Sequence, residues 1–221
     1  MSLGPMGLRD ALSAGLARQL SRPEGLRGRM VARGLNKSNG VVIAAAVEAT
    51  GLRSGQVAAD VGFGGGIGLR LLLDRVGADG RVHGVELSDT MLAAARQRHR
   101  QELADGRIAL EKGTLEQLPL PDRRVDGLIT VNTIYFVDDL AAVFEEIARV
   151  LTAAGRAVIG VADPDWMARM KVTEHVFRIR PVADLVAGLS VAGLDVREQK
   201  LDDLRGFRLL IASRKPIEAP E

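Results

Sequence analysis

Short apolar runs rich in β-branched residues alternate along this chain with longer stretches whose apolar residues recur every three or four positions. "QVAADVG" (56–62) has the first pattern and predicts a strand over Val57–Val61. "GIGLRLLLDRVG" (66–77) has the second, and Gly77 is placed to close that helix. "RVHGVEL" predicts the next strand, and Ser88 the N-cap of a helix over "DTMLAAARQRHRQELADG" that stops at Gly106. A strand in "RIALEKG" leads into a turn-rich segment, "LPLPDRR". Then come a strand in "VDGLITV", an amphipathic helix in "DDLAAVFEEIARVL" and a strand in "RAVIGVA". Pro181 stands where a helix would begin in "RPVADLVAGLSVAG". The last two strands, "DVREQKL" and "FRLLIAS", flank a turn too short for a helix, so they pair antiparallel.

Five βα units in succession predict a doubly wound α/β fold, a parallel sheet with helices on both faces. The closing pair brings the sheet to seven strands, mostly parallel. Residues 1–55 read as an N-terminal helical extension, with "SRPE" (Ser21–Glu24) spaced as a capping box and Asn39 as the N-cap of "GVVIAAAVEAT". Such an extension packs as a structural cover or closes over a ligand, and Asn36 and Asn39 would then face that ligand. Residues 56–221 read as one globular unit.

Composition narrows the function. With 221 residues, 47% of them hydrophobic, the chain has ample material for one core. Its most apolar stretch, Gly40–Gly51, is too short to span a bilayer and carries Glu48, and the start lacks the pattern of a secretory leader. The absence of cysteine excludes disulfide scaffolds, thiol catalysis and thiolate metal sites, and fits the cytoplasm, where the protein is expected. Thirty basic against 28 acidic residues leave a net charge of only +2. The basic cluster Arg22–Lys37 has helix-like spacing without interleaved aromatics, so it reads as a solvated face and no nucleic-acid partner is expected.

The densest chemical signal is "DVGFGGGIG" (Asp60–Gly68), five glycines behind an acidic residue at the end of the first strand. In a wound sheet this loop lies where ligands bind. It does not fit the dinucleotide pattern G-x-G-x-x-G, but it does fit acid-x-Gly-x-Gly-x-Gly through Asp60, Gly62, Gly64 and Gly66. That loop and four later stretches, "VHGVELSDTML", "KGTLEQLPLPD", "VDGLITVNTIYFVDD" and "FEEIARVLTAAGRAVIG", together resemble the class I S-adenosylmethionine-dependent methyltransferases in their order. The resemblance covers roughly Gln56 to Ala162 and implies a Rossmann-like fold with S-adenosylmethionine as cofactor and S-adenosylhomocysteine as product. It implies a cofactor set of Asp60, Gly62, Gly64, Gly66, Glu86, Leu87, Met91, Thr114, Leu115 and Asn132, with Glu86 on the ribose hydroxyls. The chemistry agrees: glycines allow close backbone approach, and a carboxylate accepts both protons of a diol.

Three positions depart from the family pattern. Thr114 stands where an acidic residue is common beside the adenine, Ala154-Gly155-Arg156 replaces a Pro-Gly-Gly turn, and "NTIY" (Asn132–Tyr135) lacks the prolines of the nucleic-acid amino methyltransferases. The acceptor is therefore expected to be a small, apolar or aromatic metabolite, methylated without a metal. Tyr135, Phe136, Trp166 and Phe177 fall in the two segments that would wall its pocket, or are core residues under loops, with Met167 and Met170 as flexible fillers. His175 is the candidate general base or a surface histidine, with Asp163 and Asp165 as alternatives that also suit helix capping. His83 reads as a strand residue and His99 as one on a charged helix face. A non-catalytic cofactor-binding module is the alternative function. A nicotinamide-dependent oxidoreductase is disfavoured by the missing G-x-G-x-x-G and the lack of a Tyr-x-x-x-Lys constellation.

Overall fold

The computed structural model describes residues 39–169, 177–201 and 206–215. The "SRPE" box, Asn36, Met170 and His175 lie outside these residues. Helix α1 covers 39–49 and contains Asn39, which therefore stands inside the helix and not ahead of it as its cap. Seven strands follow: β1 Val57–Val61, β2 Arg81–Glu86, β3 Ile108–Lys112, β4 Val125–Val131, β5 Leu151–Val161, β6 Leu194–Leu201 and β7 Phe207–Arg214. Between them lie α2 Ile67–Val76, α3 Asp89–Arg98, α4 Arg100–Ala104, α5 Leu140–Val150, α6 Pro164–Ala168 and α7 Val182–Val191.

The sheet order is β3-β2-β1-β4-β5-β7-β6. β1 to β5 are parallel, and β7 is antiparallel to both of its neighbours. This is the expected Rossmann-like, mostly parallel sheet, with one refinement: the strand that comes last in sequence inserts between β5 and β6. The order reverses between β1 and β4, and in open α/β sheets that switch point is where a crevice opens.

Alternation along the strands builds two cores. Ala59, Leu128, Ala157 and Ile159 face one side of the sheet and pack under α5 and α7 through Phe144, Ile147, Leu185 and Leu189. Ala58, Ile129, Val158 and Leu209 face the other side, under Leu69, Leu72 and Val76 of α2 and Leu92 of α3. α1 adds Val42, Ala46 and Val47 to that second core, so the residues just before the first strand are built into the sheet domain. The leucines of α2 recur at helical spacing and form one buried stripe.

The connection from β3 to β4 is the expected turn-rich segment, with no helix among the described residues and an isolated bridge between Thr114 and Gln117, so the five expected βα units become four. One local feature differs from the sequence reading. The helix after Ser88 breaks at His99, whose backbone has φ −107 and ψ 35. His99 is 3% exposed, in the interior and not on a charged face. Its Nε2 has no hydrogen-bond partner among the described residues, and its Nδ1 lies 3.8 Å from a Glu102 carboxylate oxygen. Burial lowers its pKa, against the pull of Glu102.

A depressed histidine pKa makes folding acid-sensitive: the unfolded chain takes up the proton first as pH falls below about 6.5. Between pH 7.5 and 5.5 the buried acids shift stability the other way, so the histidine contribution is read as a difference: in urea titration, lowering the pH should destabilise wild type relative to His99→Leu. His83, whose pKa burial also lowers, contributes alike to both proteins. Equal slopes in the two proteins would remove His99 from this account.

Candidate functional site

The carboxyl ends of β1, β2 and β4 converge on the glycine loop. Gly62, Gly64 and Gly66 have φ of 71°, 49° and 78°, a left-handed backbone that L side chains rarely adopt. Gly62 also faces the Thr133 side chain so closely that a Cβ would lie 2.7 Å from it. A Cβ on Gly64, by contrast, would meet nothing among the described residues nearer than the Gly62 carbonyl at 4.0 Å.

Glu86 ends β2 and is 7% exposed. Its Oε2 accepts from the Gly64 N–H at 2.9 Å and its Oε1 from the Ser88 N–H at 2.9 Å. Burial raises its pKa, and the N–H groups of Ser88, Gly64 and Leu87 hold it back down. A carboxylate offers about four acceptor positions, and the described residues do not fill them all. Ser88 caps α3 as its sequence predicts, accepting from the Met91 N–H at 3.4 Å.

Asp60 lies on β1, 5% exposed. No hydrogen bond to its carboxylate is found among the described residues. α2 comes so close that a Cβ on Gly68 would sit 2.2 Å from its Oδ2. Desolvation, reinforced by the charge of Glu86, pushes the Asp60 pKa up to about 8. Two buried carboxylates side by side, one without a donor, form a site that asks for a cation.

The remaining candidates divide. Leu87 is exposed beside Glu86, whereas Met91 and Leu115 are buried in the two cores. Thr114 is half-buried in the β3–β4 connection. Asn132 has φ 58° at the end of β4, its N–H donating to the Gly160 carbonyl at 2.9 Å. Asparagine enters this left-handed region more readily than most side chains. Sequence reading missed Thr133, which packs against Gly62, and the N–H of Ser88; the second was legible in the N-cap.

In the segments that follow β4 and β5, Tyr135, Phe136 and Phe177 form one aromatic cluster, with ring centroids 4.7 to 6.5 Å apart. The Arg178 N–H donates to the Tyr135 carbonyl at 2.8 Å, and the Arg180 guanidinium donates to the Ile134 and Val137 carbonyls at 3.2 and 2.8 Å. Tyr135 is 4% exposed, and its hydroxyl accepts from the Ala162 N–H at 2.6 Å. Tyr135 is thus a core residue, whereas Phe136, Phe177 and Trp166 are half-buried. Asp163 caps α6, accepting from the Asp165 and Trp166 N–H groups at 3.0 and 3.2 Å. Those N–H groups and Arg208 hold its pKa below the usual carboxylate range, the wrong direction for a base. Asp165 is exposed, and His83 packs in β2 with Nδ1 3.6 Å from Glu111.

Comparison with known proteins agrees with this geometry. A family described as a methyltransferase domain matches residues 59–159, from β1 to β5. An uncharacterized 37.1 kDa protein of a Streptomyces fradiae transposon is 36% identical over 120 residues, 54% of this chain and 33% of that protein. A 2-phytyl-1,4-naphtoquinone methyltransferase of Nostoc punctiforme is 31% identical over 114 residues, 52% of this chain and 50% of that enzyme. The chain thus spans a third to a half of the length of these curated relatives. Among solved structures, a chain of the Haloferax volcanii complex between the Trm112 methyltransferase activator and a methyltransferase superposes with a TM-score of 0.72 at 20% identity, covering 97% of this chain and 100% of that one. The segment from β1 to β5 is thus similar to the methyltransferases that use S-adenosylmethionine.

The residues fit that cofactor. The orphaned Asp60 carboxylate suits its ammonium, the spare positions on Glu86 suit a ribose diol, and the glycine cradle admits a close ligand.

With a folded pKa of about 8 against an unfolded value near 3.8, Asp60 costs stability as pH rises through that window. Asp60→Asn should therefore leave stability unchanged below pH 4 and raise it by on the order of a few kcal/mol at pH 8, measured by urea unfolding. A variant less stable than wild type at pH 8 would show that Asp60 has a partner in the folded protein.

Proposed function

We propose that this chain transfers the methyl group of S-adenosylmethionine to a small, apolar or aromatic acceptor. The observation that carries the reading is the pair of buried carboxylates at the ends of β1 and β2, one partly filled by backbone donors and one empty-handed, beside a glycine loop where a Cβ on Gly64 would meet nothing nearer than 4.0 Å among the described residues. When bound, the cofactor supplies an electrophilic methyl group on a sulfonium, with a neutral thioether as leaving group. The protein's task is then to align acceptor and cofactor and to keep water out, and alignment alone supplies much of such an acceleration. Asp60 holds the cationic end, and Glu86 fixes the ribose. Phe136, Phe177 and Trp166 give the acceptor a flat apolar wall, and an aromatic face also attracts a sulfonium.

Similarity to a naphthoquinone methyltransferase supports a ring-bearing acceptor. For a hydroxyl acceptor a proton acceptor is also needed, and His175 is proposed for that role. Asn132 and Thr114 complete the cofactor wall in this reading. We place the protein in the cytoplasm, and no helix among the described residues is long and apolar enough to cross a membrane.

Calorimetric titration with S-adenosylhomocysteine, run beside NAD and NADP, tests the proposal. Saturable binding of S-adenosylhomocysteine alone is expected, and binding of a nicotinamide nucleotide alone overturns it. Glu86→Ala should weaken the binding more than tenfold. It should also cost about 1–3 kcal/mol of stability, because two backbone N–H groups lose their acceptor. Unchanged affinity would take the ribose away from Glu86.

A further inference from the structure

Three consecutive glycines, Gly64, Gly65 and Gly66, leave the cradle with almost no steric preference of its own. Hydrogen bonds must therefore choose which way each peptide faces. The Gly64 N–H goes to Glu86, and the Gly66 N–H donates to the Phe63 carbonyl at 2.8 Å. The Gly65 carbonyl belongs to the same rigid peptide unit as the Gly66 N–H, and it accepts from Arg98 Nη1 at 2.6 Å. That peptide is thus held at both ends, by a turn bond on one side and by a guanidinium on the other.

Arg98 is the last residue of α3. The helix ends there because His99, the next residue, turns into the interior. The opposite end of α3 begins beside Glu86, through the Ser88 N–H. One helix therefore touches both halves of the cofactor site.

Stability of α2 does not explain this placement. Gly66 is the N-cap of α2, the cap makes no side-chain hydrogen bond, and the first turn carries no acidic residue. Arg98 Nη1 lies 3.2 Å from where a Cβ on Gly66 would be. A cation at a helix N-terminus opposes the helix dipole, so the guanidinium is unfavourable to α2, and this offsets the favourable place of the same charge at the last turn of α3.

We infer that Arg98 is a positioning residue for the cofactor: its bond to the Gly65 carbonyl sets the orientation of the Gly65–Gly66 peptide and thereby the shape of the glycine cradle. This rests on the methyltransferase reading above, since it supposes that the cradle receives the cofactor. A charge-assisted hydrogen bond to a carbonyl is stronger than a neutral one, so its loss removes a strong hold on a loop with little steric preference of its own.

The test compares wild type, Arg98→Ala and Arg98→Lys by titration with S-adenosylhomocysteine, thermal unfolding without ligand, and hydrogen exchange at the Gly66 amide. Arg98→Ala should bind S-adenosylhomocysteine about 5- to 20-fold more weakly, with the unliganded midpoint unchanged and the Gly66 amide exchanging faster. Arg98→Lys, which keeps a cationic donor, should recover part of the affinity. Affinity within twofold of wild type in Arg98→Ala overturns the inference, as does a loss that follows a lowered midpoint and is not recovered by lysine. If wild type itself does not bind S-adenosylhomocysteine, the methyltransferase reading fails by itself. Exchange at the Gly66 amide then decides the role of Arg98: faster in Arg98→Ala supports it, unchanged refutes it.

Discussion

Two backbone N–H groups 24 residues apart in sequence, those of Gly64 and Ser88, meet on the single carboxylate of Glu86. The loop leaving β1 and the turn leaving β2 are tied by this pair of bonds to the same side chain. The parallel register makes the meeting possible, since Asp60 and Val61 lie opposite Gly84 and Val85 and Glu86 follows directly. Burial of the carboxylate strengthens both bonds, because little water competes for it. The starting directions of α2 and α3 depend on the same knot, so helix placement on one whole face of the sheet is coupled to the ligand site.

The site takes its properties from what the fold leaves unsatisfied. Asp60 sits on a central strand, pressed by α2 through Gly68 and flanked by another acid. A folded core ordinarily avoids such a group, and here it is retained at the switch point, where a cationic ligand would complete it. Stability and ligand affinity are opposed at this one side chain. The surrounding frame can bear the cost because β1 and β4 are buried on both faces, with Ala58, Ala59, Leu128 and Ile129 all at 1% exposure or less.

The strands were legible in the sequence because each is a compact apolar run bounded by glycine, aspartate or proline. β1 and β4 occupy the predicted residues. The glycine loop and Glu86 were legible because residue type and spacing carry their chemistry. What escaped is what tertiary packing decides. His99 looks polar in a charged stretch, but the interior takes it and breaks the helix there. Tyr135 reads as a wall residue, but its hydroxyl answers the Ala162 N–H and pins the ring inside. Arg98 is one of several arginines in α3 and the residues after it, and only the reach of its guanidinium to Gly65 separates it from the others. The residue type of Asn132 permits its left-handed backbone without requiring it.

The place of β7 in the sheet has a consequence for how the chain assembles. β6 is made before β7, yet among the described residues it pairs with β7 alone, and β7 in turn must reach the open edge of β5. During synthesis the first five strands can collapse together while β5 still presents an unpaired edge of apolar residues such as Val158, Ile159 and Val161. A bare edge of this kind is a template for pairing with a neighbouring chain. The interval between completion of β5 and arrival of β7 is thus the period in which this protein is most prone to aggregate, and the closing hairpin ends it.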